Sequence, residues 1–201
     1  MGPIDPSEIP QAVEIFQLAF ADEHESRYRE RARPTALIDV WGFLQGCEPC
    51  GFLAARMGGK LVGYAIFVRS LGAIQRQALL TGAALRWSWS AIRSGDFHFG
   101  TLWRIVQNKT LFVFQGRRHR THGDAQLLNV AVDPAWQGRG IASELTLAGL
   151  AVLRGMQVPE IRLEVRGWNA AAIRVYERTG WREVGRTRDL EGEWIVMVAN
   201  P

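Results

Sequence analysis

A chain of 201 residues with 47% apolar and 22% charged residues has the size and composition of one globular domain with a sizeable core. The formal charge of +4 makes an anionic partner plausible, whether a phosphate-bearing cofactor, nucleic acid or acidic lipid, without choosing among them. The most apolar long stretch, "LGAIQRQALLTGAALRWSWSAI", is interrupted by Arg76 and Arg86, so no transmembrane span is expected.

"MGPIDPSEIPQ" lacks the basic start and apolar run of a signal peptide, and Pro6 stands where a myristoylation signal needs Ser or Thr. The expected location is the cytoplasm. "DPSEIPQAVEIFQLAF" then predicts a helix with Ile9, Val13, Phe16 and Phe20 on one face. "DEHESRYRERARP" reads as an exposed connection or helix end, and a second apolar segment follows around "LIDVWGFL". The pair Cys47 and Cys50 in "CEPC" needs two more ligands for zinc. His119 and His122 are the nominal candidates, but their spacing fits no common zinc module. No metal is expected, and the two cysteines read as reduced thiols near a turn.

"GFLAARMGGKLVGYAIFV" predicts a hairpin turning on Gly58-Gly59. Residues 70–124 break the rhythm as a helical insert. Leu71, Ile74, Ala78, Gly82, Leu85, Trp89 and Ile92 step by three and four, and Phe99, Leu102, Trp103 and Val106 suggest a second helix before the basic loop "RRHRTHGD". The apolar stripe of the insert must be buried over an acceptor groove, against a second subunit or in a membrane surface. Strand "AQLLNVAV", a helix from Ile141 to Gly155, strand "IRLEV", a helix from Asn169 to Arg178 and a final hairpin complete the chain. The order argues a single mixed α/β (α+β) domain built around one sheet.

The glycines of "NVAVDPAWQGRGIASEL" lie where a helix begins. Unpaired N–H groups and the positive end of the helix dipole make that a phosphate site, and Gly138, Gly140 and the small Ala142 let the backbone approach. Gln137 and Arg139 add donors. The chain contains no G-x-x-x-x-G-K-[ST], which excludes a P-loop. "DPAWQ" separates strand from glycines, where a dinucleotide fold turns directly, and the third glycine is missing.

What remains resembles the acetyl-coenzyme A motif Q/R-x-x-G-x-G/A of the GNAT family of N-acetyltransferases, with Gln137, Gly140 and Ala142 in its places. "LEVRGWNAAAIRVYERTGW" resembles the family's next strand and helix, and the C-terminal half is most similar to enzymes that acetylate the N-terminal alanine of a ribosomal protein. The resemblance covers residues 125–199 well, the hairpin at 51–68 loosely and the insert not at all.

It implies a mostly antiparallel central sheet flanked by helices, with acetyl-CoA as cosubstrate. It implies cofactor contacts from Val130, Val132, Gln137, Gly138, Arg139, Gly140, Ile141, Ala142, Ser143, Asn169, Tyr176 and Arg178. Amine acetylation requires loss of a proton from an ammonium and an acid for the departing thiolate, whose pKa is about 8.5. The family match makes Tyr176 that acid; spacing alone reads it first as a residue packed on the sheet. Glu164 matches the proposed base of the ribosomal-protein enzymes, while strand alternation alone reads it as a solvated charge paired with its neighbours. Asn169 serves as N-cap, cofactor contact or both, and Arg178 as phosphate contact or solvated helix residue.

Neither cysteine lies near these motifs, so direct attack in a ternary complex is expected rather than an acetyl-cysteine. The expected acceptor is a primary amine, either a protein N-terminus or a small molecule such as an amino sugar. The alternative is a non-catalytic coenzyme A sensor or interaction module. Neither nucleic acid nor a particular oligomer is expected: a monomer and a homodimer both fit, and peripheral membrane contact through the insert stays open.

Overall fold

A computed structural model describes residues 1–20, 34–83, 85–87, 123–189 and 192–201. A seven-stranded sheet organises them: β1 (Gly2–Pro3), β2 (Phe52–Met57), β3 (Lys60–Val68), β4 (Gln126–Val132), β5 (Ile161–Arg166), β6 (Arg182–Asp189) and β7 (Gly192–Ala199). Their spatial order is β1-β2-β3-β4-β5-β7-β6. Every neighbouring pair is antiparallel except β4 with β5, which run parallel.

The hairpin of β2 and β3 closes with Met57 opposite Lys60, and Gly58 and Gly59 carry φ of +58° and +81°. Two consecutive positive φ values are what a two-residue turn of the primed type requires, which is why both central residues are glycine.

β3 is apolar almost throughout because both of its faces are covered. Ala65 and Phe67 join Leu127, Leu163, Leu145 and Leu153 in one core, beneath α4 (Ile141–Gly155) and α5 (Ala170–Arg178). A Cβ on Gly149 would stand 2.1 Å from the Phe67 ring, so α4 can lie this close to the sheet only with glycine there. On the other face α1 (Ile9–Ala19) and α2 (Pro34–Cys47) bring Val13 and Trp41 onto Phe52 and Tyr64. The Trp41 ring lies 5.0 Å from that of Tyr64 and 5.5 Å from that of Phe16. Each fully buried large side chain stabilises the fold by about 1.5–3 kcal/mol relative to exposure.

Where β4 meets β5 the sheet opens. Their ladder has the pair Gln126–Arg162, at the start of both strands. On the other side, Phe67 pairs with Leu127 and Ile66 with Asn129, so Leu128 is an extra residue in β4. A bulge bends its strand and increases the local twist, which carries the C-terminal half of β4 away from β5.

The long helical stripe expected from Leu71 to Ile92 is interrupted in the structure at Gly82. Helix α3 (Leu71–Leu80) ends at Thr81, and Gly82 follows at φ +70°, outside the helical region. Ile74 and Ala78 of the stripe are buried, whereas Leu85 is 73% exposed, because the turn at Gly82 rotates the next residues off the stripe. Trp89, Ile92, the second helix expected near Phe99, Leu102, Trp103 and Val106, the basic loop, His119, His122 and the connection at 21–33 lie outside the described residues.

Asp124 fastens the start of α3. Its Oδ2 accepts from Ser70 Oγ at 3.0 Å and from the Gly72 N–H at 2.5 Å, and its carbonyl accepts from the Leu71 N–H at 3.1 Å. Cys47 and Cys50 are free thiols, and among the described residues no cluster of three His, Cys, Asp or Glu could hold a metal ion. No helix among those residues is long and apolar enough to cross a membrane.

Candidate active site

The loop after β4 is held in shape by its own side chains. Asp133 Oδ1 accepts from the Ala135 N–H at 2.9 Å and caps the short turn Pro134–Trp136. Gln137 Nε2 reaches back to the Val132 carbonyl at 3.1 Å. Gly138 and Gly140 follow at φ +74° and +82°, so the backbone makes two left-handed steps around Arg139.

Gly140 is the N-cap of α4 and has no side chain to satisfy the helix's first N–H groups. Those of the first turn remain as donors, backed by the helix dipole. An added Cβ at Gly138 or Gly140 would meet nothing within 4 Å, so the space outside the loop is open. An open concavity lined by N–H groups has the chemistry that accepts a diphosphate.

A cleft of about 460 Å³ extends from this loop into the gap beside β4. Of the residues singled out from the sequence, Val130, Val132, Gln137, Gly138, Gly140, Ile141, Ala142, Ser143, Asn169 and Arg178 line it. Asn169 caps α5, its Oδ1 accepting from the Ala172 N–H at 3.0 Å, so capping and cleft lining coexist in one residue. Arg139 is not in the wall: its guanidinium lies 4.6 Å from the centre of the Trp136 ring.

Trp136 itself lines the cleft, as do Arg174 one turn before Arg178 and Phe20 at the end of α1. Sequence reasoning passed over all three. Helical spacing from Arg178 was a usable signal for Arg174, and no local pattern marked Trp136 or Phe20. Arg178 Nε donates to the Arg174 carbonyl at 3.1 Å, which brings both guanidinium stems to one side of α5.

Tyr176 and Glu164 stand outside the cleft wall. Tyr176 neighbours Val175, which lines the cleft, but its ring packs on the α4 and α5 core, 5.9 Å from that of Trp181. Burial pushes its phenol up to about 12. Glu164 lies on the opposite face of β5, since Leu163 and Val165 point into the α4 and α5 core. Its side chain is 10% exposed and pairs with Arg162, which is 18% exposed. Burial raises its carboxyl above the usual range, and the Arg162 charge and hydrogen bond oppose that rise.

The same strand face carries a second ion pair, Arg166 Nη1 with Asp189 Oδ1 at 2.9 Å, and Asp189 Oδ2 also accepts from Trp194 Nε1 at 2.8 Å. Asn129, beside the gap in β4, accepts from the buried Tyr64 hydroxyl at 2.8 Å. The gap thus separates a side of N–H donors and arginines, at α4 and α5, from a side of paired charges on β5.

A mixed sheet that parts between two parallel strands, with a glycine loop and a helix N-terminus at the opening, defines a coenzyme A-type acyltransferase fold. Residues 11–181 match the profile of the Acetyltransferase (GNAT) family. The chain belongs to that family, and acetyl-CoA is the cosubstrate that membership brings with it.

Among curated proteins it is similar to the mycothiol acetyltransferase of Nocardiopsis dassonvillei, 52% identical over 52 residues, or 26% of this chain and 16% of that protein. It is also similar to that of Acidothermus cellulolyticus, 41% identical over 70 residues, or 35% of this chain and 21% of that protein. The matches therefore span only about a fifth of the length of these relatives.

Among solved structures, the ribosomal-protein-S18-alanine N-acetyltransferase of Escherichia coli aligns at TM-score 0.57 and 20% identity, covering 98% of this chain and 90% of that one. The acetyltransferase yncA of Salmonella typhimurium, solved with its cofactor acetyl-CoA, aligns at TM-score 0.58 and 16% identity, covering 98% and 91%. Likeness at this level of identity establishes the fold.

Proposed function

We propose that the protein transfers an acetyl group from acetyl-CoA to a primary amine by direct attack in a ternary complex. The observation that carries this reading is the cleft at the parting of β4 and β5, which runs from the N–H donors of α4 to the edge of β4.

Bound there, acetyl-CoA supplies an activated thioester. The first-turn N–H groups of α4 and the backbone of Gly138 and Gly140 hold its diphosphate, with Arg174 and Arg178 as flanking cations. The backbone of Val130 and Val132 aligns the extended arm. Glu164 takes the proton that the ammonium must lose, directly or through water, and its raised pKa brings it closer to that task. The resemblance assigns Tyr176 the proton for the leaving sulfur. It lies outside the cleft wall, one residue from Val175, which lines it, and burial keeps the phenol protonated at every physiological pH.

The acceptor we favour is a small-molecule amine. Three relatives that are 37% to 52% identical over short matches are named mycothiol acetyltransferases, after a compound and not after a protein substrate. A protein N-terminus is the second reading, motivated by "LEVRGWNAAAIRVYERTGW". A free-thiol release assay with acetyl-CoA, run against small amines and N-terminal peptides, tests both. Thiol release with one class names the acceptor. Tight coenzyme A binding without turnover of either class would leave a coenzyme A sensor.

A further inference from the structure

Residues 70–122 hold eight Lys and Arg against one Asp, a net +7, whereas the whole chain stands at +4 and the remainder therefore at −3. The positive charge of this protein is thus a property of one segment. The described beginning of that segment, Leu71 to Trp87, contains no acidic residue at all.

Helix α3 presents this bias in a fixed orientation. Ile74 and Ala78 are buried, while Leu79, Leu80 and Leu85 are 69%, 82% and 73% exposed. Arg76 and Arg86 are exposed on either side of them. The helix is fastened to the domain at both ends of this stretch. Asp124 binds its first turn, and the Trp87 ring meets that of Phe43 on α2 edge-on at 5.2 Å. The leucines are held outward by packing on the opposite face.

Three exposed leucines within seven residues are a liability in water unless something covers them. Side chains this exposed stand clear of the surface and suit insertion into a soft medium. Flanking arginines in a stretch of sequence without an acidic residue favour an anionic boundary, where each cation gains from the negative surface potential. Nucleic acid would meet the charge, but leucine offers a base neither a stacking face nor a hydrogen bond.

We propose that the C-terminal end of α3 and the residues just beyond its Gly82 turn, with Leu79, Leu80 and Leu85 flanked by Arg76 and Arg86, dock on an anionic lipid surface. This holds whichever amine the cleft accepts.

The test is co-sedimentation of the full chain with vesicles of phosphatidylcholine alone and of phosphatidylcholine with phosphatidylglycerol. The expected result is pelleting with the anionic vesicles only, weakened by salt. Replacing the leucines (Leu79→Gln, Leu80→Gln, Leu85→Gln) should reduce the bound fraction more than about tenfold, and so should Arg76→Gln with Arg86→Gln. Because these side chains are exposed, both variants should keep coenzyme A affinity, measured by calorimetry as the folding control. Three results overturn the proposal: no pelleting of the wild-type chain with anionic vesicles, equal pelleting of the leucine variant, and a wild-type dimer that the leucine variant abolishes while neither chain binds vesicles. The last assigns the patch to a second copy of the chain.

Discussion

The side-chain amide of Gln137 donates to the carbonyl oxygen of Val132 at 3.1 Å, tying the glycine loop to the last residue of β4. The motif glutamine therefore shapes the loop from behind. Gln137→Ala should leave the fold intact and loosen Gly138 and Gly140. The loss of one such hydrogen bond, about 0.5–1.5 kcal/mol, predicts coenzyme A binding weaker by roughly two- to tenfold in calorimetry. An affinity weakened a hundredfold would instead mean that the amide touches the cofactor.

Gly140 separates strain from obstruction. At φ +82° with open space around a would-be Cβ, Gly140→Ala should cost about 1–2 kcal/mol of stability through backbone strain. Gly140→Val adds a branched side chain pointing toward the anion site, so coenzyme A affinity should fall well beyond the stability loss. Thermal unfolding and calorimetry on both variants check this. Equal affinity losses for the two would remove the obstruction argument.

Tyr176→Phe keeps the packing on Trp181 and removes the hydroxyl. Single-turnover rate should fall roughly 100-fold with coenzyme A affinity nearly unchanged. A rate that does not move would make Tyr176 a packing residue. The same variant has a signature in stability. The folded tyrosine titrates at about 12, above its unfolded value near 10. Its contribution is complete below pH 10 and is lost as pH rises from there towards 12, at about 1.4 kcal/mol per pH unit. Denaturant unfolding should show that slope in the wild type and less of it in Tyr176→Phe, with the buried Tyr64, also raised, supplying the remainder.

If Glu164 is the base, activity falls as pH drops through its pKa, which burial places above the ordinary carboxylate value. Glu164→Gln should abolish that acidic limb. Arg162→Gln removes the cation that holds the carboxyl down, so the limb should move to higher pH. A limb that stays in place in both variants assigns the proton to another group or a water chain.

Asp124→Ala removes the acceptor of the Ser70 hydroxyl and the Gly72 N–H. A loss of about 1–2 kcal/mol in denaturant unfolding is expected, in line with a removed helix cap. Coenzyme A affinity should hold, since the helix start lies outside the cleft wall. A large affinity loss would couple the insert to the cofactor site.

The features that the sequence determined by itself are local. Two positive-φ glycines demand the turn at 58–59, Asn169 and Gly180 bracket a helix, and the glycines at 138 and 140 mark a helix start with free N–H groups. Each follows from backbone chemistry within a few residues, so ten of the residues named for the cofactor do line one cleft. The tertiary structure alone decided the relationships that depend on register. The extra Leu128 opens the sheet, and strand alternation sends Glu164 to the face opposite α4, into a pair with Arg162. Trp136 and Arg174 join the cleft, Tyr176 turns to the core, and Gly82 ends the helix that apolar spacing would have continued. Periodicity says which side of an element is apolar; which partner it meets depends on how strands far apart in the chain align, and no local pattern encodes that alignment.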